Sequence, residues 1–165
     1  MKKELKHTGY PSNEDLASAP GIPSLEYLNK KTLAVIECFE RIPCNPCEKS
    51  CPFGAITIGE VISNLPALNP EKCKGCCACI THCPGLAIFV VDMNFTPMTA
   101  LVKIPYELFP VPIEGDEVKC LNRKGEAITT GRVHSVKIAP SYNKTYVIGI
   151  EIQKEFAMEV RNIQL

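Results

Sequence analysis

Short β-branched apolar runs, set apart by polar stretches rich in proline, glycine and asparagine, run through most of the chain and predict strands. "TLAVIEC" (Thr32 to Cys38) is the first of them. "AITIGEVI" and "LAIFVVDM" follow, each just after a Cys-Pro pair. Further along, "GDEVKCL", "EAITTGRVHSVKIA" and "KTYVIGIEIQ" predict three more strands, with Arg123-Lys124-Gly125 as a hairpin turn and Pro140 to Asn143 as a longer one. "EFAMEVRNIQL" predicts a last helical turn and a closing strand. Before the first strand, residues 1–31 are polar, and Pro11, Pro20 and Pro23 stand too close together for a long element. That segment is expected to be an extended arm, a lid or a docking strand. Pro105, Pro110 and Pro112 mark a linker over 96–112. The pattern therefore divides an α+β chain into the arm 1–31, a cysteine-rich unit 32–95, the linker, and a small antiparallel β-barrel or sandwich over 113–165.

Composition narrows the function classes. The 165 residues are 45% hydrophobic and 22% charged, a globular balance, and the formal net charge is +0. Eighteen basic and eighteen acidic residues supply no bulk attraction to nucleic acid or to an anionic membrane surface. Nowhere do enough apolar residues follow one another to span a membrane, and the polar start lacks the apolar run of a signal peptide, so the expected location is the cytoplasm. The sequons at Asn94 and Asn143 then match their pattern by chance. There is no G-x-G-x-x-G, no Walker-type loop, no H-E-x-x-H and no C-x3-C-x2-C, so no dinucleotide, nucleotide, metalloprotease or radical S-adenosylmethionine site is expected.

The ten cysteines carry the chemistry. In a reducing compartment they are better read as ligands than as disulfides. Cys73-x2-Cys76-x2-Cys79-x3-Cys83-Pro84 is the bacterial iron-sulfur run, proline included. Three thiolates at three-residue intervals wrap one cubane, and the fourth, set off by the proline turn, serves a second. A zinc ribbon is the competing reading, but it needs two separate C-x2-C pairs. The run has an earlier copy: Cys44, Cys47, Cys51, Pro52, Ala55 and Ile56 fall on Cys76, Cys79, Cys83, Pro84, Ala87 and Ile88 at one constant shift, and Arg41 falls on Cys73.

Crossed ligation then assigns Cys73, Cys76, Cys79 and Cys51 to one 4Fe-4S cluster. Cys44, Cys47 and Cys83 go to the other, one thiolate short. Cys38, six residues before Cys44, is the expected fourth ligand; the alternative is a three-cysteine site, either a three-iron species or a cube with an open iron. Arg41 is expected near that cluster, where its charge would favour the reduced state. Cys77 and Cys120 are expected as small buried hydrophobes, His82 as a loop residue and His134 as a strand residue.

At these residues the chain resembles the dicluster bacterial-type ferredoxins, over Thr32 to Asp92. The wider pattern, "GIPSLEYLNKKTLAVIECFERIPCNPCEKSCPFGAI" followed by the β-rich tail, looks like the small iron-sulfur subunits of FAD-dependent amine and amino-acid dehydrogenases, such as dye-linked proline dehydrogenase and hydroxyproline or opine oxidoreductase complexes. The resemblance implies a ferredoxin-like pseudo-twofold domain with two 4Fe-4S clusters. It also implies a role as an electron-transfer subunit beside an FAD-dependent dehydrogenase, with a redox donor or acceptor protein as second partner and no catalysis of its own. A different reading makes the clusters structural, with the β-rich tail binding a partner or nucleic acid.

Overall fold

The computed structural model describes residues 3–165. The N-terminal segment is not an extended arm. It folds into three short helices, α1 (Lys3–Thr8), α2 (Asn13–Ser18) and α3 (Leu25–Leu28). Pro11, Pro20 and Pro23 fall in the gaps between them, so the prolines divide the segment without stretching it. At α2 a capping box starts the helix: the Asp15 N–H donates to Ser12 Oγ, and the Ser12 N–H donates to the Asp15 carboxylate at 3.0 Å.

The elements that follow are β1 (Leu33–Ile36), α4 (Pro46–Lys49), β2 (Ile56–Thr57), β3 (Ala67–Leu68), β4 (Ile88–Asp92), β5 (Thr99–Tyr106), β6 (Glu117–Leu121), β7 (Ala127–Lys137), β8 (Tyr146–Gln153) and β9 (Asn162–Gln164). Seven of the strands form one antiparallel sheet in the order β1-β4-β5-β8-β7-β6-β9; β2 and β3 pair separately. Because β1 and β9 lie at opposite edges, the sheet is not closed into a barrel by strand pairing.

β5 overturns the expected linker over 96–112. Six of its eight residues are buried, and it is paired on both sides, to β4 and along its whole length to β8. Pro105, which cannot donate to a ladder, falls beyond Lys103, the last β5 residue paired with β4. The expected boundary between the cysteine-rich unit and a separate small β domain is therefore absent at the level of the sheet. One continuous cluster of buried side chains runs from Leu28, Leu33 and Ile80 through Val90 to Ile150, Val160 and Ile163. Each such aliphatic side chain contributes roughly 1.5–3 kcal/mol by leaving water.

The shift that superposes the cysteine runs also relates the strands around them. β1 pairs with β4 through Ile36↔Ile88, and β3 pairs with β2 through Leu68↔Ile56. Under that shift Ile36 becomes Leu68 and Ile56 becomes Ile88, so each copy pairs its first strand with the second strand of the other. The bonds beside the strands repeat too. The Glu37 N–H donates to the Ala87 carbonyl at 2.8 Å, and the Asn69 N–H to the Ala55 carbonyl at 2.7 Å. The N-terminal segment joins both copies at equivalent places, where the Ile36 N–H donates to the Gly21 carbonyl and the Leu68 N–H to the Pro20 carbonyl, at 2.9 and 3.0 Å.

A second fastening ties the C-terminal strands to the end of β1. Arg123, in the β6–β7 hairpin turn, grips the Glu37 carboxylate with Nε at 2.8 Å and Nη2 at 2.7 Å, and Arg161, just before β9, adds its Nε at 2.8 Å. All three side chains are nearly out of water. Burial alone would raise the Glu37 carboxyl, but the Arg123 hydrogen bonds and the Arg161 charge outweigh it and hold it below the ordinary range. Burial pushes Arg161 down to about 10, so it keeps its charge at neutral pH.

Gly21 gives the N-terminal contact a direct test. A Cβ built there would stand 2.7 Å from both Ile36 Cβ and the Ile36 carbonyl oxygen, and the latter is backbone that cannot step aside. Gly21→Ala is expected to lift the segment from β1 and cost about 1–3 kcal/mol, the usual range for overpacking. Thermal melting with limited proteolysis of residues 3–20 checks this; an unchanged melt and cleavage pattern would show that the contact is loose.

Candidate metal centre

The chain brings nine cysteines together around two cavities, four at the first and five at the second. Beyond β1, residues 37–45 have no regular structure and fold back beneath α4, whose first helical residue is Pro46 and whose second is Cys47. Cys38, Cys44 and Cys47 from this region meet Cys83 around a small cavity. Its walls are otherwise mostly apolar, with Ile36, Ile42, Ile58 and Ile88 and three prolines, and with Glu40 and Asn64 as the polar members. Cys73, Cys76 and Cys79 meet Cys51 around a second small cavity, walled by Ala34, Phe53, Ala55, Ile56 and Val90.

Each cavity thus takes one cysteine from the other copy of the run, and those two crossing residues are built alike. The Ala55 N–H donates to Cys51 Sγ at 3.2 Å and the Ala87 N–H to Cys83 Sγ at 3.4 Å. Between donor and acceptor the chain turns through a left-handed residue, Gly54 at φ +57° in one copy and Leu86 at φ +50° in the other. Glycine takes that conformation freely, whereas leucine does so at a cost of roughly 1–2 kcal/mol.

The copies differ at one ligand position. The Ala34 N–H donates to Cys73 Sγ at 3.5 Å. At the equivalent place the earlier copy has Arg41 instead of Cys73, and the later copy has, instead of Ala34, Pro66, which carries no N–H. Thiol and donor are missing together. Cys38 lines the first cavity instead. Arg41 lies beside that cavity without lining it: its side chain is solvent-exposed and donates from Nη1 to Asn64 Oδ1, on the cavity wall, at 3.3 Å. It lines a wider, open cavity with Phe39 and Leu65, and Glu40 and Asn64 connect it to the cysteine site.

The electrostatics of both sets disfavour bare thiolates. Burial pushes the Cys47 thiol up to about 11, with Cys83 and Cys44 adding to the rise. Burial likewise raises Cys38, reinforced by Cys83, and raises Cys79 above its usual range, reinforced by Cys73. Four thiolates around one apolar cavity repel one another and lack water, so a cationic core between them is what makes the ionised form favourable. Among the described residues, no three Cys, His, Asp or Glu side chains gather as a single metal ion requires. Tetrahedral zinc at about 2.3 Å from each sulfur draws four sulfurs to within about 4 Å of one another. Cysteines spread around the wall of a cavity, rather than gathered on one point, suit a body several ångströms across, and a cubane is such a body.

Cys77 departs from its expected place as a plain core residue. It is half-buried, at φ +71°, and lines the second cavity beside the other four cysteines. Its Sγ lies 3.5 Å from the Gly75 carbonyl oxygen. Burial raises this thiol, while Lys103 of β5 and Lys137 of β7 pull it down. The signal available in the sequence was Gly75, whose φ of +61° starts the turn that brings Cys77 inward. Cys120 is fully buried in the sheet and lines neither cavity. His82 Nδ1 lies 2.9 Å from the Ala78 carbonyl oxygen, and His134 meets Phe95 edge-on at 4.8 Å.

Residues 66–89, which contain the whole second run, match the 4Fe-4S binding domain family. Among known proteins the chain is similar to a component of the ion-translocating oxidoreductase complex of Methanosarcina acetivorans, at 45% identity over 28% of this chain and 17% of that protein. It is also similar to a component of the Na(+)-translocating ferredoxin:NAD(+) oxidoreductase complex of Acetobacterium woodii, at 50% identity over 23% of this chain and 11% of that one. The ferredoxin-type protein NapF of Haemophilus influenzae is 36% identical over 33% of this chain and 32% of its own length. The chain thus spans a third or less of each of these relatives. No solved structure matches. Among the described residues no helix is long and apolar enough to cross a membrane. The chain carries a ferredoxin-type 4Fe-4S binding domain.

Proposed function

We propose that the protein is an electron carrier with two 4Fe-4S clusters, held by Cys38, Cys44, Cys47 and Cys83 at site 1 and by Cys73, Cys76, Cys79 and Cys51 at site 2. The observation that carries the reading is the crossed pair of cysteine-lined cavities, each of which takes one cysteine from the other copy, in one strand-exchanged core. The repeat core is in this reading a ferredoxin-like pseudo-twofold dicluster domain, and the sheet β5–β9 is an extension built onto its β4 edge. Each cubane, when bound, takes up and releases one electron at a time.

The residues around the cavities supply the rest. Ile36, Ile58 and Ile88 at site 1 and Ala34, Ile56 and Val90 at site 2 exclude water from the sulfurs. The N–H groups of Ala34, Ala55 and Ala87 hold three of the thiolates in place and partly neutralise them. Cys76 is exposed, so site 2 has a face toward a partner. Two sites in one core give an electron one place to arrive and another to leave from, which suits a protein between a donor and an acceptor. The two relatives named as parts of oxidoreductase complexes support a place in such a complex. The resemblance to small iron-sulfur subunits of amine and amino-acid dehydrogenases supports an FAD-dependent dehydrogenase as the donor, because a reduced flavin can give its two electrons singly. A cytoplasmic setting, where thiolates stay reduced, belongs to the same reading.

Protein purified without air is expected to hold about eight irons with matching acid-labile sulfide, two cubanes by the spacing of the runs, and near-zero zinc. Titration with a photoreduced flavin should reduce it reversibly in single-electron steps. Zinc in place of iron, or clusters that no flavin or dithionite reduces, would overturn the electron-carrier reading.

A further inference from the structure

The Arg123–Glu37–Arg161 network is a costly way to join two parts of a core. Arg161 Nη2 is buried without a hydrogen-bond partner, although Nη1 donates to the Val160 and Ala157 carbonyls and the guanidinium lies 4.8 Å from the Phe89 ring. Buried ion triads commonly stabilise a fold no more than apolar side chains of the same volume. Its position says more. Glu37 stands between Ile36 and Cys38, both of which line the site 1 cavity, while Glu37 itself is turned to the arginines and does not line it. Phe89, beneath Arg161, directly follows Ile88 of the same cavity. Beyond β1 the chain has no regular structure until α4, so Glu37 and Cys38 open a loop. The loop's upstream end is fixed by the Glu37 N–H bond to Ala87 and by the three arginine bonds to the Glu37 carboxylate.

We propose that Arg123 and Arg161 are positioning residues for Cys38: the C-terminal strands reach back through Glu37 and set the loop so that Cys38 takes the ligand place that Arg41 leaves empty. The inference rests on the two-cluster reading above. Site 2 has no such dependence, since Cys73, Cys76, Cys79 and Cys51 all come from the repeat itself. The extension β5–β9 thereby acquires a role: it completes the one site that the repeat leaves short of a thiolate. Glu159, which bonds Arg123 Nη1 at 3.0 Å from a half-exposed position, orients that arginine at the solvent edge.

The test compares anaerobically purified wild type, Arg123→Gln, Arg123→Lys and Cys38→Ser by iron content, circular dichroism and electron paramagnetic resonance. Wild type with fewer than two cubanes would overturn the two-cluster reading and this inference with it. Given two cubanes, Arg123→Gln should keep the site 2 signal and the sheet's dichroism, lose site 1 iron, and on contact with air give the same three-iron signal as Cys38→Ser. Lysine keeps the charge but cannot grip both carboxylate oxygens. Arg123→Lys should therefore fold with both clusters and yield site 1 iron to a chelator at least about tenfold faster than wild type, while site 2 iron is lost at the wild-type rate; the size is that usually seen when a residue orienting a metal ligand is weakened. Equal loss from both sites in Arg123→Lys, or wild-type retention at site 1 in both arginine variants, would overturn the positioning role.

Discussion

Neither copy of the cysteine run can close a site without the other. The turn that follows Cys51 in the first copy, and Cys83 in the second, points its thiol away from its own run, and the strand after that turn pairs with the first strand of the other copy. Strand exchange and thiol exchange are one constraint. Once Ile36 stands opposite Ile88 and Leu68 opposite Ile56, the crossing cysteines lie in the partner copy's cavity. In the proposed two-cluster reading, cluster binding is coupled to the register of both strand pairs, and the free energy of one is shared by the other.

Everything else in the fold bears on that exchanged core from outside. Pro20 and Gly21 supply carbonyls to equivalent N–H groups of the two copies, so the N-terminal segment braces the axis that relates them. On the other side β5 extends the sheet from β4, and its continuation through β8, β7, β6 and β9 returns two guanidiniums to Glu37 at the end of β1. Lys103 and Lys137, on β5 and β7, act on Cys77 at the second cavity. The C-terminal strands thus touch the surroundings of both sites, with buried arginines at one and lysines at the other. That asymmetry accompanies the asymmetry of the runs, where Arg41 and Pro66 take the places of a cysteine and an N–H donor.

The local patterns of the chain were legible because each depends on neighbours in sequence. Cysteine intervals with a following proline imply which thiols share a loop, and β-branched runs bounded by turn residues place β1, β4, β6, β7 and β8. What was hidden depends on partners far away. Pro105 made residues 96–112 read as a linker, yet a proline is tolerated there because β4 stops short of it. The prolines of the N-terminal segment mark gaps equally well in an extended arm or between short helices, and only the capping box at Ser12 favours the latter. Cys77 is out of phase in the linear spacing, and a left-handed backbone, invisible in the pattern, turns it inward. Whether Arg41 would enter the cavity was also hidden: a guanidinium stays with Asn64 and solvent at the edge of apolar surroundings.

The exchanged core and both sites stand or fall with crossed ligation, and single removal of the two crossing thiols tests it. Cys51→Ser and Cys83→Ser are prepared anaerobically and compared with Cys76→Ser and Cys47→Ser by electron paramagnetic resonance of the reduced proteins. Crossed ligation predicts that Cys51→Ser perturbs the cluster altered by Cys76→Ser, and that Cys83→Ser perturbs the cluster altered by Cys47→Ser, each leaving the other signal intact. If Cys51→Ser instead perturbs the cluster altered by Cys47→Ser, each run holds its own cluster and the exchanged core described here is contradicted.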